Sequence, residues 1–98
     1  LEKDFSEMAK TEDDLSVGSG WQDLADAFPA LAGAPAYLQN KNFNTNRHLL
    51  VVFSDSAVPP TGRQGLRVPP GEVVQGTADH IWVRAFDVAV LINCGTTD

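Results

Sequence analysis

Leu49-Leu50-Val51-Val52-Phe53 sets five large apolar residues in a row in a chain of 98. Residues 47–54 read as a β-strand, and a strand points successive side chains to opposite faces. Leu49, Val51 and Phe53 therefore look one way, and Leu50 and Val52 the other. A half-exposed strand would make one of those sets polar, whereas here both need cover. The expectation is a strand central in its sheet, with a second sheet on one side. On the other side stands either the segment around residues 21–31 or another subunit. A domain of this length hides only about 60–65% of the surface its unfolded chain exposes. A thin sandwich would thus leave one face of this ribbon wet, which predicts a molecule that sits against other proteins.

The flanking sequence is short strands separated by turn residues. Ala36-Tyr37-Leu38-Gln39-Asn40 is a strand closed by Asn-rich turn material. Pro59 and Pro60 sit in a loop over residues 55–65, because neither can donate a ladder hydrogen bond. Leu66-Arg67-Val68 and Glu72-Val73-Val74-Gln75 are short strands on either side of the Pro69-Pro70-Gly71 turn. Residues 79–85 and 88–93 alternate apolar with other residues and make a hairpin candidate, although Phe86-Asp87 lacks the glycine that tight hairpins favour. Trp21, Leu24, Phe28 and Leu31 fall at helical spacing, but Pro29 and Gly33-Ala34-Pro35 limit that segment to about one helical turn. Some six short strands with turn signals every 8–12 residues predict an all-β fold: a small antiparallel β-sandwich, jelly-roll-like or barrel-like.

Ahead of it, residues 1–20 form a separate arm and flexible linker, with the sandwich over residues 21–98. Asp4 and Glu7 have capping-box spacing, and Phe5, Met8 and Leu15 lie near one side of a helix over residues 1–15. Ser16-Val17-Gly18-Ser19-Gly20 then has linker composition. Two readings stand for the arm, a disordered tail or a segment that docks on a neighbour through Phe5, Met8 and Leu15.

Net charge is −6, and residues 1–14 carry −4 of it (six acids, two bases). Without a basic stripe the sequence argues against a nucleic-acid partner. No apolar run approaches the roughly 18–20 residues of a membrane span. The single Cys94 excludes an internal disulfide, so stability rests on packing or on assembly.

No catalytic, cofactor or metal site is expected. Ser54, Ser56, His48, His80, Asp55 and Asp79 supply residue types for nucleophilic hydrolysis, yet no Gly-x-Ser-x-Gly elbow accompanies them. His48, His80 and Cys94 lack paired ligand spacing. Glu12-Asp13-Asp14 lacks the spaced ligands of a calcium loop. Trp82 and Arg84 share one strand face, for which core packing and a subunit interface, with Leu50 and Val52, are both open readings. A third is a sugar platform of Tyr37, Trp82 and Phe86.

From Trp21 onward the elements stand in a recognisable order. They are Trp21, Tyr37-Leu38-Gln39-Asn40, an apolar strand running into Ser56-Ala57-Val58-Pro59-Pro60, Gly65-Leu66-Arg67-Val68-Pro69-Pro70-Gly71-Glu72, and Ile81-Trp82-Val83-Arg84-Ala85. This order resembles the small β-sandwich virion proteins of tailed bacteriophages, a group that includes capsid decoration (cement) proteins and related tail or fibre modules. The resemblance covers about four-fifths of the chain and departs at Phe86-Asp87-Val88, where relatives often carry a glycine turn. It implies a non-enzymatic structural protein without cofactors, made in the host bacterial cytoplasm and placed on the capsid surface of the virion. The implied partners are the major capsid protein or other virion proteins, with the chain itself a homo-oligomer (trimer or dimer).

Overall fold

The computed structural model describes residues 10–43 and 46–97. It is a two-layer antiparallel sandwich. In chain order the elements are β1 (Lys10–Thr11), β2 (Leu15–Val17), β3 (Gln22–Asp23), helix α1 (Leu24–Ala27), a 3-10 turn (Pro29–Leu31), β4 (Pro35–Asn40), β5 (Leu49–Ser54), β6 (Leu66–Val68), β7 (Val73–Thr77), β8 (His80–Ala85) and β9 (Val90–Thr96). The first sheet runs β1-β9-β4-β7, with β2 also on β9, and the second runs β3-β8-β5-β6.

β5 is central, as its two-sided apolarity requires. It pairs with β8 from Leu49↔Ala85 to Ser54↔His80 and with β6 from Leu49↔Val68 to Val51↔Leu66. Leu49, Val51, Val68, Ile81, Val83 and Ala85 face inward, against Ala36, Leu38, Val90, Ile92 and Cys94 of the first sheet. Leu24 and Leu31 are buried in the same core. The 21–31 segment thus supplies core residues, and Pro29 starts a new 3-10 turn after a single turn of helix.

The outer face of β5 is covered from within the chain. Leu50 is only 2% exposed. The loop over residues 55–65 folds back across this face. Its Ser56 carbonyl accepts from Trp82 Nε1 at 3.1 Å, and its Gly62 carbonyl accepts from Arg84 Nη1 and from Trp21 Nε1, each at 3.1 Å. At its end, Gly65 (φ +101°) lies so close to β5 that a Cβ would stand 2.5 Å from the Val51 carbonyl oxygen and 2.7 Å from Val52 Cγ2. The chain therefore shields the ribbon that was expected to need a partner. The sequence hides this because the loop's cover comes from carbonyls and backbone shape, not from an apolar pattern.

Two further expectations are corrected. Residues 79–93 form no hairpin: β8 belongs to the second sheet and β9 to the first, and residues 86–89 cross between the layers. A turn lacking glycine is consistent with a crossing rather than a tight reversal. Residues 10–17 are not helix and linker but strands on β9, with Leu15↔Ile92 and Val17↔Val90 in register. Val17 is fully buried, and the Gly18 carbonyl accepts from Ala85 N at 2.8 Å. Edge pairing satisfies these backbone groups and outweighs a weak local helix propensity. The sandwich accordingly begins by Lys10.

One buried polar side chain ties the layers together. Asn40, at the end of β4, donates from Nδ2 to the Arg47 carbonyl at 2.7 Å and to the Val68 carbonyl of β6 at 3.0 Å. Its Oδ1 accepts from Asn42 N at 3.1 Å.

Candidate functional site

A row of titratable and aromatic side chains lies on the outer face of the second sheet. Alternation along β8 sends His80, Trp82 and Arg84 outward, and the register places them beside Ser54, Val52 and Leu50 of β5. Asp23 joins the row because it stands opposite Trp82 across the β3–β8 pair. At the end of β3 it caps α1, its Oδ1 accepting from Ala25 N at 3.0 Å and from Ile81 N at 3.0 Å. Its Oδ2 is 2.6 Å from His80 Nδ1. The imidazole stacks on Trp82, ring centroids 6.3 Å apart and planes inclined by 22°.

A carboxylate on Nδ1 is the arrangement that orients a histidine for acid–base work. The third element would be a nucleophile at the imidazole. Ser54 is the residue opposite His80, but its Oγ instead accepts from Ser56 N at 2.9 Å and so fixes the start of the loop. The other members of the hydrolase inventory are not gathered here. Asp79 lies beside Gly33, and Asp55, Ser54, Phe53 and Thr77 share with them an open cleft of about 630 Å³ at the end of the sandwich. Asp23, the residue that holds His80, is absent from the expected set. The Asp23-Leu24-Ala25 start of the helical turn was its available signal.

Further along the same face, Phe86 lies under two guanidinium groups, Arg63 Cζ at 4.6 Å and Arg67 Cζ at 5.0 Å from its ring centroid. Arg63 also pairs with Asp87, and Arg67 Nε reaches His48 Nδ1 at 3.3 Å. These cation–π contacts fasten both ends of the loop-to-β6 segment to the crossing at residues 86–89. Among the described residues, no three His, Cys, Asp or Glu side chains come together to hold a metal ion.

Of the residues expected at an interface, Leu50 and Trp82 are buried within the chain, Val52 is half-buried, and Arg84 spends its guanidinium on the carbonyls of Ala85, Gly62 and Phe86. The loop occupies the place assigned to a partner. Of the arm residues, Leu15 packs against the sandwich's own core, which removes it from docking, while Phe5 and Met8 lie outside the described residues. The three aromatics of the sugar platform are not brought together. Tyr37 is on the outer face of the first sheet, its hydroxyl donating to Asn93 Oδ1 at 3.1 Å, whereas Trp82 and Phe86 are on the second.

Cys94 is buried in the core. Burial, reinforced by the nearby Glu12 and Asp14 carboxylates, pushes its thiol up to about 12. This is an inert packing residue, not a nucleophile or metal ligand. Comparison of the chain with family models, with curated proteins and with solved structures found no match.

Proposed function

We propose that the chain is a non-enzymatic structural protein of a tailed-phage virion, a capsid decoration protein that binds the mature shell in many copies and stabilises it. The observation that carries the non-enzymatic part is the bonding of the outer row. Asp23, Trp82 and Arg84 hold β3, β8 and the 55–65 loop together by hydrogen bonds, His80 is held through Nδ1 on Asp23, and Ser54 Oγ accepts from Ser56 N at the start of the same loop. Such a row makes a stiff block rather than a reactive centre.

The virion assignment is supported by the sequence resemblance. Its motifs fall on successive parts of one sandwich: β4, the covering loop, the β6–β7 turn and β8. A rigid block that bridges a seam between shell subunits adds contact area that must be lost before the shell opens. Repetition over a lattice then raises the effective affinity of contacts that are weak one by one. Residues 10–17 belong to the sandwich, so docking by the arm falls to the residues ahead of β1.

Co-sedimentation with expanded heads lacking the protein tests this reading. Binding in hundreds of copies per head is the expected result. Binding in tens of copies or fewer, confined to tails or fibres, would move the protein to a tail or fibre module. No binding to any part of the particle would reject the virion assignment. Removing residues 1–9 should weaken binding while leaving the sandwich folded.

A further inference from the structure

A sheet edge is an open template for another strand unless something blunts it. Three of the four edges here are blunted. β3 is two residues long and runs straight into α1. β6 is three residues between Gly65 and Pro69-Pro70 and carries Arg67. The β1–β2 edge is broken by Glu12-Asp13-Asp14. β7 has none of these devices. Val73-Val74-Gln75-Gly76-Thr77 is an unbroken extended strand without charge or proline, paired among the described residues on one side only, with β4.

The direction of its free groups follows from the register. Asn40 N donates to the Glu72 carbonyl at 3.1 Å. Antiparallel alternation then turns the N–H and C=O of Val74 and Gly76 toward β4 and those of Val73, Gln75 and Thr77 toward the open side. Three outward residues centred on Gln75 form a self-complementary set.

We propose that this edge is a self-association site, occupied by β7 of a second copy in antiparallel pairing, with the two-fold axis at Gln75. Gln75 then faces Gln75 of the second copy, and Val73 faces Thr77. All six outward backbone groups of each strand are paired in that register, giving six intermolecular hydrogen bonds, and no other register centred on this strand pairs them all. The axis stands perpendicular to the joined sheet, so outward side chains meet outward side chains. Val73, 48% exposed, is covered by Thr77 of the second copy. The acid run at residues 12–14 lies on the opposite edge of the first sheet, three strand spacings or about 14 Å away, while Glu72 and Asp79 flank β7 itself. A contact of this small size belongs to the weak class. It names a self-contact within the virion reading, but stands or falls separately from shell binding.

The test is sedimentation equilibrium of the full chain from 1 to 500 µM, with disulfide trapping. A concentration-dependent dimer is expected. Gln75→Cys should cross-link to itself, since facing Cα atoms about 5.5 Å apart suit a disulfide. Val73→Cys should not cross-link alone but should do so when mixed with Thr77→Cys. Cys94 will not interfere, being buried. Gln75→Lys, whose side chain already points to solvent, should weaken the dimer at least tenfold without loss of fold by circular dichroism. A monomer throughout the range overturns the proposal, as does a dimer indifferent to Gln75→Lys or trapped by Val73→Cys alone. Head binding by the Gln75→Lys variant, measured separately, reports on the shell contact and not on this one.

Discussion

Asn40 joins the two layers through hydrogen bonds that no apolar residue can replace. Its Nδ2 spends both hydrogens on buried or half-buried carbonyls, those of Arg47 and Val68, while its Oδ1 holds the backbone of Asn42. In Asn40→Ala the carbonyls stay inside without donors, each costing about 1–3 kcal/mol, so the loss is about 3–5 kcal/mol. A domain of this length has about 5–15 kcal/mol in all. With a urea slope of about 1.5 kcal/mol/M, the unfolding midpoint should fall by about 2–3 M. Asn40→Asp keeps the volume but turns both donors into acceptors, setting a carboxylate against two carbonyl oxygens. It should therefore be at least as damaging near neutral pH, and less so in acid. Urea unfolding followed by tryptophan fluorescence measures both variants. A midpoint drop below about 0.5 M for the alanine, or an aspartate that is tolerated at pH 7, would show that the layers are held otherwise.

Other outcomes follow from the same contacts. Gly65→Ala puts a Cβ 2.5 Å from the Val51 carbonyl oxygen at a φ of +101°, and should lift the covering loop, red-shift Trp82 emission and cost about 2–4 kcal/mol by urea unfolding. Cys94, raised from an ordinary 9.0 to about 12, should react with iodoacetamide at pH 8 only as fast as the chain unfolds, about a thousandfold slower than an open thiol by thiolate fraction alone. Because that group is protonated in the fold, its contribution to stability is complete below pH 9 and is lost as pH rises toward 12. Asp14 titrates the other way. Hydrogen bonds from Lys41 and Asn93 hold its carboxyl below the usual carboxylate value, so its stabilisation is present above that value and lost as pH falls through the depressed one. Protection of the Leu15 and Val17 amides relative to their intrinsic exchange should fall in that acid range, and Asp14→Asn should remove the acid sensitivity.

Strand content was legible because alternation is a local property. The reading of residues 36–40 and 66–68 matches β4 and β6, and the two faces of residues 49–53 are as alternation requires. Pairing is not local. β8 and β9 are neighbours in sequence with matching alternation, yet they lie in different layers, and nothing in their side chains names the partner strand. Residues 10–17 are illegible for a related reason: half-buried Leu15 and buried Val17 pair with residues some 75 positions away. The need to cover Leu50 was visible, but not the means. The loop at residues 55–65 contributes carbonyls to Trp21, Trp82 and Arg84, and backbone acceptors leave no mark in a sequence. Asp23 was likewise hidden, since a helix cap and a histidine partner 57 residues away coincide in one carboxylate only after folding.

The crossing at residues 86–89 has a consequence for how the molecule is made. All four strands of the second sheet are complete once Ala85 has been synthesised, whereas the first sheet is built around β9, the last strand, which separates β4 from β1 and β2. Lys10 must find Thr96, 86 residues later. Ordered assembly during translation is therefore expected: one layer can form early with its inner face bare, and closure waits for residues 90–96. Such late, long-range closure makes for slow folding and leaves an adhesive intermediate, which a crowded assembly site would either shelter or trap.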